Sequence, residues 1–164
     1  MEPSKELFFV KQIKEHQNLI HKVCRIYTSC PDDHNDLFQE ITIQLWKAYP
    51  KFRGEAKFTT WAYRVALNTA ITLFRKKSRS INAVELNDSL HKIDFEEYNY
   101  EEEEQLKLMY KAIQQLGDID KALVFMYLED KDYREISETL GITEVNARVK
   151  MNRVKTKLKQ IINP

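Results

Sequence analysis

Apolar residues fall at helical spacings along most of this chain. From about residue 5 to 29, Ile13, Leu19, Ile20, Val23, Ile26 and Tyr27 recur every three or four positions, with room for one break. After a turn expected at Pro31–Asp33, a second helix is predicted from about Asn35 to Tyr49. Leu37, Phe38, Ile41, Leu45 and Ala48 form its apolar stripe, and Pro50 ends it. The segment KFRGEAK at 51–57 reads as a loop pivoting on Gly54. A third helix is then expected from Thr59 or Thr60, as N-cap, to about Ser78, with Ala62, Val65, Ala66 and Leu73 inward.

The second half repeats the habit in shorter pieces. Leu106, Met109, Tyr110 and Ile113 mark a helix over about 103–116, with Gly117 as its cap. Asp118 or Asp120 begins another, whose apolar residues are Ala122, Leu123, Phe125, Met126 and Leu128. A short helix follows over Tyr133–Leu140, then Gly141 at a tight turn, Ile142 filling the angle and Thr143 as N-cap of a final helix. Two helices joined by a short Gly-containing turn are a helix-turn-helix arrangement. In the last helix Ala147, Met151, Val154, Leu158 and Ile161 or Ile162 make the inner face.

Composition supports an all-α fold. Three glycines and four prolines in 164 residues, with 31% charged side chains, argue against a barrel, a sandwich or a collagen-like chain. At 43% apolar the chain can bury a core. No window approaches the ~18 apolar residues of a membrane span. Charged residues interrupt the apolar runs of the N-terminus, so a secretory leader is not expected. The expected setting is cytoplasmic.

The net charge of +1 hides strong segregation. Residues 1–80 are net basic, residues 81–104 hold one Lys against nine acids, and residues 105–164 are basic again. An acidic, polar run cannot offset its ordering entropy by apolar burial. The expected organisation is therefore two small helical domains, 1–80 and 105–164, joined by an acidic linker at 81–104.

Each domain carries polar rows at helical spacing. In the second helix Asp36, Gln39, Glu40 and Ile43 share the side away from the stripe. Such a row suits either solvent or a partner. In the third helix Arg64, Asn68, Thr72, Arg75 and Arg79 follow one another at steps of three or four, headed by Trp61, with Lys76 and Lys77 beside them. Cations neutralise phosphates, Asn can read a base edge and a planar ring can stack on an unpaired base. The bland alternatives are a core Trp61 and cations that complement the helix dipole. In the final helix one row is Asn146, Lys150, Arg153 and Lys157, and another is Glu144, Arg148, Asn152, Lys155 and Lys159. Every charged residue from 145 onward is a cation, which favours a DNA face over an ordinary Lys-rich surface.

His21, Cys24, Cys30 and His34 form an HxxC–x5–CxxxH string. It matches no common zinc spacing and contains no CxxC, so buried thiols beside a turn are expected rather than a metal or redox site. No nucleophile–base pair, Gly-rich phosphate loop or paired-carboxylate metal motif stands out, so neither an enzyme nor a cofactor is expected.

Taken together, DLFQEITIQLW at 36–46, FRGEAKFTTWAYRVALNTA at 52–70 and YREISETLGITEVNARVKMNRVKTKL at 133–158 resemble a bacterial sigma factor of the sigma-70 family, in the short extracytoplasmic-function (ECF) group. The resemblance covers nearly the whole chain. It implies a non-enzymatic promoter-specificity subunit of RNA polymerase. The DLFQE segment resembles the helix that docks on core polymerase, which turns the row Asp36, Gln39, Glu40 and Ile43 into a docking face. Asn68 matches the family's pocket for a flipped −10 base, and Trp61, Arg64, Thr72, Arg75 and Lys76 lie around the single strand. The final helix resembles the reader of the −35 duplex, with Glu144, Asn146, Arg148, Lys150, Asn152 and Arg153 as its contacts. The family also implies control by an anti-sigma factor. Val149 stands where many members have Ser or Ala, Thr72 where others have Asn or Asp, and Glu144 is acidic, so promoter preference stays open. The competing function is a polymerase-independent helix-turn-helix regulator, which would usually dimerise on palindromes.

Overall fold

The computed structural model describes residues 3–81 and 103–164. The chain divides into two compact units, with the division after Ile93. Residues 82–102, most of the expected acidic linker, lie outside the described residues. Among the described residues every regular element is helical.

The first unit is built from three mutually packed helices, α1 (Pro3–Tyr27), α2 (Pro31–Ala48) and α3 (Phe58–Ile81), with one 3-10 turn at Tyr49–Lys51. Helix α1 carries the expected break at His16, where φ −115° and ψ 17° leave the helical region. The His16 ring stacks on Phe58 at 5.6 Å. Before the break, Phe9 anchors the first half of α1 against Trp46 at 5.0 Å and Tyr49 at 5.1 Å. Ile20, Val23, Cys24, Ile41, Leu45, Ala66 and Leu67 fill the centre of the unit.

Two boundaries and one buried face differ from the sequence reading. The expected turn Pro31–Asp33 is the first turn of α2, with Cys30 as an extended N-cap. Proline lacks only an N–H that the first turn would leave unused, and Asp32 and Asp33 complement the positive helix end. Helix α3 begins at Phe58, so Thr59 and Thr60 lie inside its first turn and neither is the N-cap. Its buried face is Ala62, Tyr63, Ala66, Leu67, Ala70 and Ile71, while Val65 and Leu73 are only half-buried.

The second unit comprises α4 (Glu103–Gln114), α5 (Asp118–Leu128), α6 (Tyr133–Leu140) and α7 (Glu144–Ile162). Gly117 does not close α4 in a left-handed turn. It is the extended N-cap of α5, with φ −68° and ψ 170°. Residues 121–126 of α5 are all buried, which makes it the central helix, but Leu128 is exposed. The α6–α7 corner follows its local chemistry. Asp132 caps α6 by accepting from the Glu135 N–H at 2.8 Å. Gly141 takes the left-handed conformation, φ 68°, and Thr143 caps α7 by accepting from the Asn146 N–H at 3.1 Å. Ile136, Ala147, Met151 and Val154 then lock the corner to the core. Of the two candidates at the end of α7, Ile161 is half-buried and Ile162 is exposed.

Candidate nucleic-acid interface

Helix α3 sets out a long polar face. Its buried side chains, from Ala62 to Ile71, lie on one side. At 3.6 residues per turn, Trp61, Arg64, Asn68, Thr72 and Arg75 fall on the opposite side within a narrow row. Asn68, Thr72, Arg75 and Lys76 are exposed, while Trp61 and Arg64 are half-buried. The side chain of Arg79 lies outside those described. The Thr72 hydroxyl donates to the Asn68 backbone carbonyl at 2.8 Å, and the Asn68 side chain is exposed. Lys77 forms an ion pair with Asp33 of α2, tying the cationic end of α3 to its neighbour.

Trp61 is neither core nor free. Its ring sits at 4.9 Å from Phe52, 5.4 Å from Phe58 and 6.2 Å from Tyr49. The 3-10 turn, the loop after it and the first residue of α3 thus supply an aromatic seat for the indole. The sequence reading missed this cluster because Phe52 lies in an irregular segment where periodicity gives no signal, and Tyr49 was expected at the end of the second helix and not in a turn that packs on α3.

Helix α2 carries the second face. Leu37, Ile41 and Leu45 are buried, whereas Asp36, Gln39 and Ile43 are exposed and Glu40 is half-buried. Gln44 donates to the Glu40 carboxylate at 2.8 Å and orients it. Ile43 stands 45% exposed within this acidic and amide row.

Helix α7 carries the third face. Glu144, Asn146, Arg148, Asn152 and Arg153 are exposed, and Lys150 is half-buried. Arg148 is held from two sides. The Glu144 carboxylate lies 3.7 Å from its guanidinium, and the ring of Tyr133 lies 5.0 Å beneath it. Lys155 is drawn to the other flank, where it donates to the Tyr127 hydroxyl at 3.1 Å, and this bond raises its pKa. Tyr133 and Tyr127 escaped the sequence reading because each meets its cation across a turn or a helix pair, at separations no helical period connects.

The His/Cys string is a packing seam rather than one cluster. His21 Nδ1 and His34 Nε2 meet at 2.9 Å, and His21 stacks on Phe38 at 4.5 Å. Cys24 is fully buried, and burial pushes its thiol up to about 12. A thiol so raised is a poor nucleophile and a poor metal ligand. No group of three metal-ligating side chains occurs among the described residues.

Residues 12–80 match the family model of sigma-70 region 2, and residues 106–158 match that of sigma-70 region 4. The chain belongs to the sigma-70 family. An ECF RNA polymerase sigma-E factor of Haemophilus influenzae is 24% identical over 163 residues, covering 93% of this chain and 86% of its own. The ECF RNA polymerase sigma-E factor of Escherichia coli K12 is 27% identical over 143 residues, covering 80% and 75%. The fold is shared with the sigma factor RpoE of Bartonella quintana, solved in complex with the anti-sigma factor NepR. That match has TM-score 0.75 at 14% identity and covers 94% of this chain and 96% of that one. CnrH, solved with the cytosolic domain of CnrY, matches with TM-score 0.63 at 16% identity, covering 94% and 87%. This ECF sigma factor is thus a promoter-specificity subunit of RNA polymerase and not an enzyme. The matches do not favour a polymerase-independent regulator. No described helix of the sigma factor is long and apolar enough to cross a membrane.

Proposed function

We propose a division of labour among the three faces. Residues 1–80, extended by the end of α3 at Ile81, form the domain that docks core polymerase and holds the −10 element, and 105–164, extended by the start of α4 at Glu103, form the −35 domain, with the linker between them. Asp36, Gln39, Glu40 and Ile43 dock the largest polymerase subunit. Asn68 receives a flipped non-template base, with Trp61 as its stacking platform and Arg64, Thr72, Arg75 and Lys76 along the strand. Glu144, Asn146, Arg148, Lys150, Asn152 and Arg153 meet the intact −35 duplex in the major groove.

The observation that carries this reading is the polar row on α3, opposite its buried face of Ala62, Tyr63, Ala66, Leu67, Ala70 and Ile71. A surface that binds the opened strand better than the closed duplex shifts the equilibrium toward melting without nucleotide hydrolysis. Extruding a base costs a few kcal/mol, which stacking and pocket hydrogen bonds can offset. The −35 contact holds the promoter while this happens, and linkage through polymerase raises the effective concentration of the second contact.

The solved complexes of RpoE with NepR and of CnrH with CnrY support an anti-sigma factor as a further partner of this chain. Its working place is the cytoplasm, where core polymerase and promoters are. Run-off transcription with core polymerase and a genomic promoter library tests the reading. Initiation at a defined set of promoters with shared −35 and −10 elements is expected, and deletion of residues 105–164 is expected to abolish −35 dependence. Initiation that survives the deletion unchanged would refute the two-anchor arrangement.

A further inference from the structure

Val145 and Val149 are 68% and 43% exposed near the start of α7. Up to Gln160, every other exposed residue of that helix is polar or charged. Four residues apart, the two valines stack one above the other on the same side. That side is opposite Ala147, Met151 and Val154, which are buried. It lies between the row of Asn146, Lys150 and Arg153 and the row of Glu144, Arg148 and Asn152. The valines are therefore the central ridge of the surface that faces the −35 duplex, flanked by its cations and amides.

The ridge is rigid and open. Thr143 caps the helix just before it, and a helical valine keeps one strongly preferred rotamer, so little side-chain freedom is lost on docking. Arg148 is drawn toward Tyr133 of α6 and toward Glu144. A pair of valines offers no donor or acceptor. Pressed against the polar part of a base edge, it would leave those groups unpaired. The major-groove edge has one apolar feature, the C5-methyl group of thymine.

We propose that Val145 and Val149 form a thymine-methyl reader, and that the −35 element of this sigma factor carries thymine where they touch it. The inference deepens the −35 assignment of α7 and rests on it. It also gives the departure at position 149 a consequence. Serine there would tolerate any base and alanine would reach less far, whereas valine favours a methyl-bearing base.

The test uses core polymerase with the full chain and a promoter recovered by run-off transcription. Each thymine of the −35 element, on either strand, is replaced in turn by deoxyuridine. This removes the methyl and leaves the hydrogen-bonding edges intact. At least one replacement is expected to raise Kd roughly four-fold, the effect of one buried methyl. In the Val145→Ala/Val149→Ala double variant the same replacement should change Kd hardly at all. Alanine is the better helix former, so the variant keeps α7, and its circular dichroism melt verifies this.

Equal affinity of the wild type for every thymine and deoxyuridine duplex overturns the proposal and leaves the ridge to a protein partner. An undiminished ratio in the double variant, or a −35 element without thymine, overturns it as well. Initiation that ignores the −35 element in unmodified DNA would instead remove the underlying assignment, and the inference with it.

Discussion

His21 and His34 face each other across the seam between α1 and α2, with Phe38 stacked on the first ring. Burial lowers the pKa of His21, with Arg25 adding to the effect. Burial also lowers that of His34, followed by His21 and then Arg25. In the unfolded chain both titrate near about 6.5. Above that pH both states are neutral and the packing is at full strength. As pH falls below it, the unfolded chain takes up protons that the folded seam refuses, so stability declines until the folded imidazoles also titrate. Both tryptophans, Trp46 and Trp61, belong to this unit, so urea unfolding followed by Trp fluorescence reads it within the full chain. The midpoint is expected to drop between about pH 7.5 and about pH 5.5, and His34→Gln should flatten the drop. An equally steep decline in the variant would free the pair of that role. The sequence string showed these residues near one another along the chain. It could not show that the histidines pair while the Cys24 thiol faces inward, because that depends on how α1 and α2 rotate against each other.

At the scale of elements, local chemistry decided what could be foreseen. The α6–turn–α7 corner was legible because Gly141 and Thr143 act through their own backbone neighbours. A Cβ at Gly141 would meet nothing within 4 Å, so the cost of Gly141→Ala is conformational alone. It should destabilise the second unit by about 1–2 kcal/mol, the penalty of a left-handed L-residue. Thr143→Ala should cost about 1 kcal/mol through the lost cap. Thermal unfolding of the full chain followed by circular dichroism measures both, and a shift confined to Thr143→Ala would contradict the first. The Pro31 and Gly117 boundaries were misjudged for a related reason. Proline and glycine each suit either a turn or a helix start, and the choice depends on the tertiary partners of the flanking residues. The Trp61 seat and the Tyr133 platform under Arg148 are tertiary throughout, so no local pattern announced them.

On the scale of the whole molecule, the proposed function has two cationic helices treat one promoter differently. In that proposal α3 offers Asn68 and its neighbours to a strand that must first be opened, and α7 offers Arg153 and its neighbours to a duplex that must stay closed. Periodicity alone placed both rows on outward faces, and the structure leaves Asn68, Thr72 and Arg75 of one and Asn146, Arg153 and Lys157 of the other exposed, with Trp61, Arg64 and Lys150 half-buried, because each row lies opposite an apolar stripe. What periodicity could not supply was the division of roles between the faces. That comes from family membership and from the chemistry of the exposed residues.

Permanganate reactivity of the −10 thymines, read alongside a −35 footprint in the same holoenzyme–promoter complexes, tests this division most directly. Asn68→Ala should keep the −35 footprint and leave the −10 thymines unreactive. Arg153→Ala should weaken the −35 contact by about 1–3 kcal/mol, yet give reactive thymines once the promoter is saturated. Two variants that impair both steps to the same extent would contradict the account.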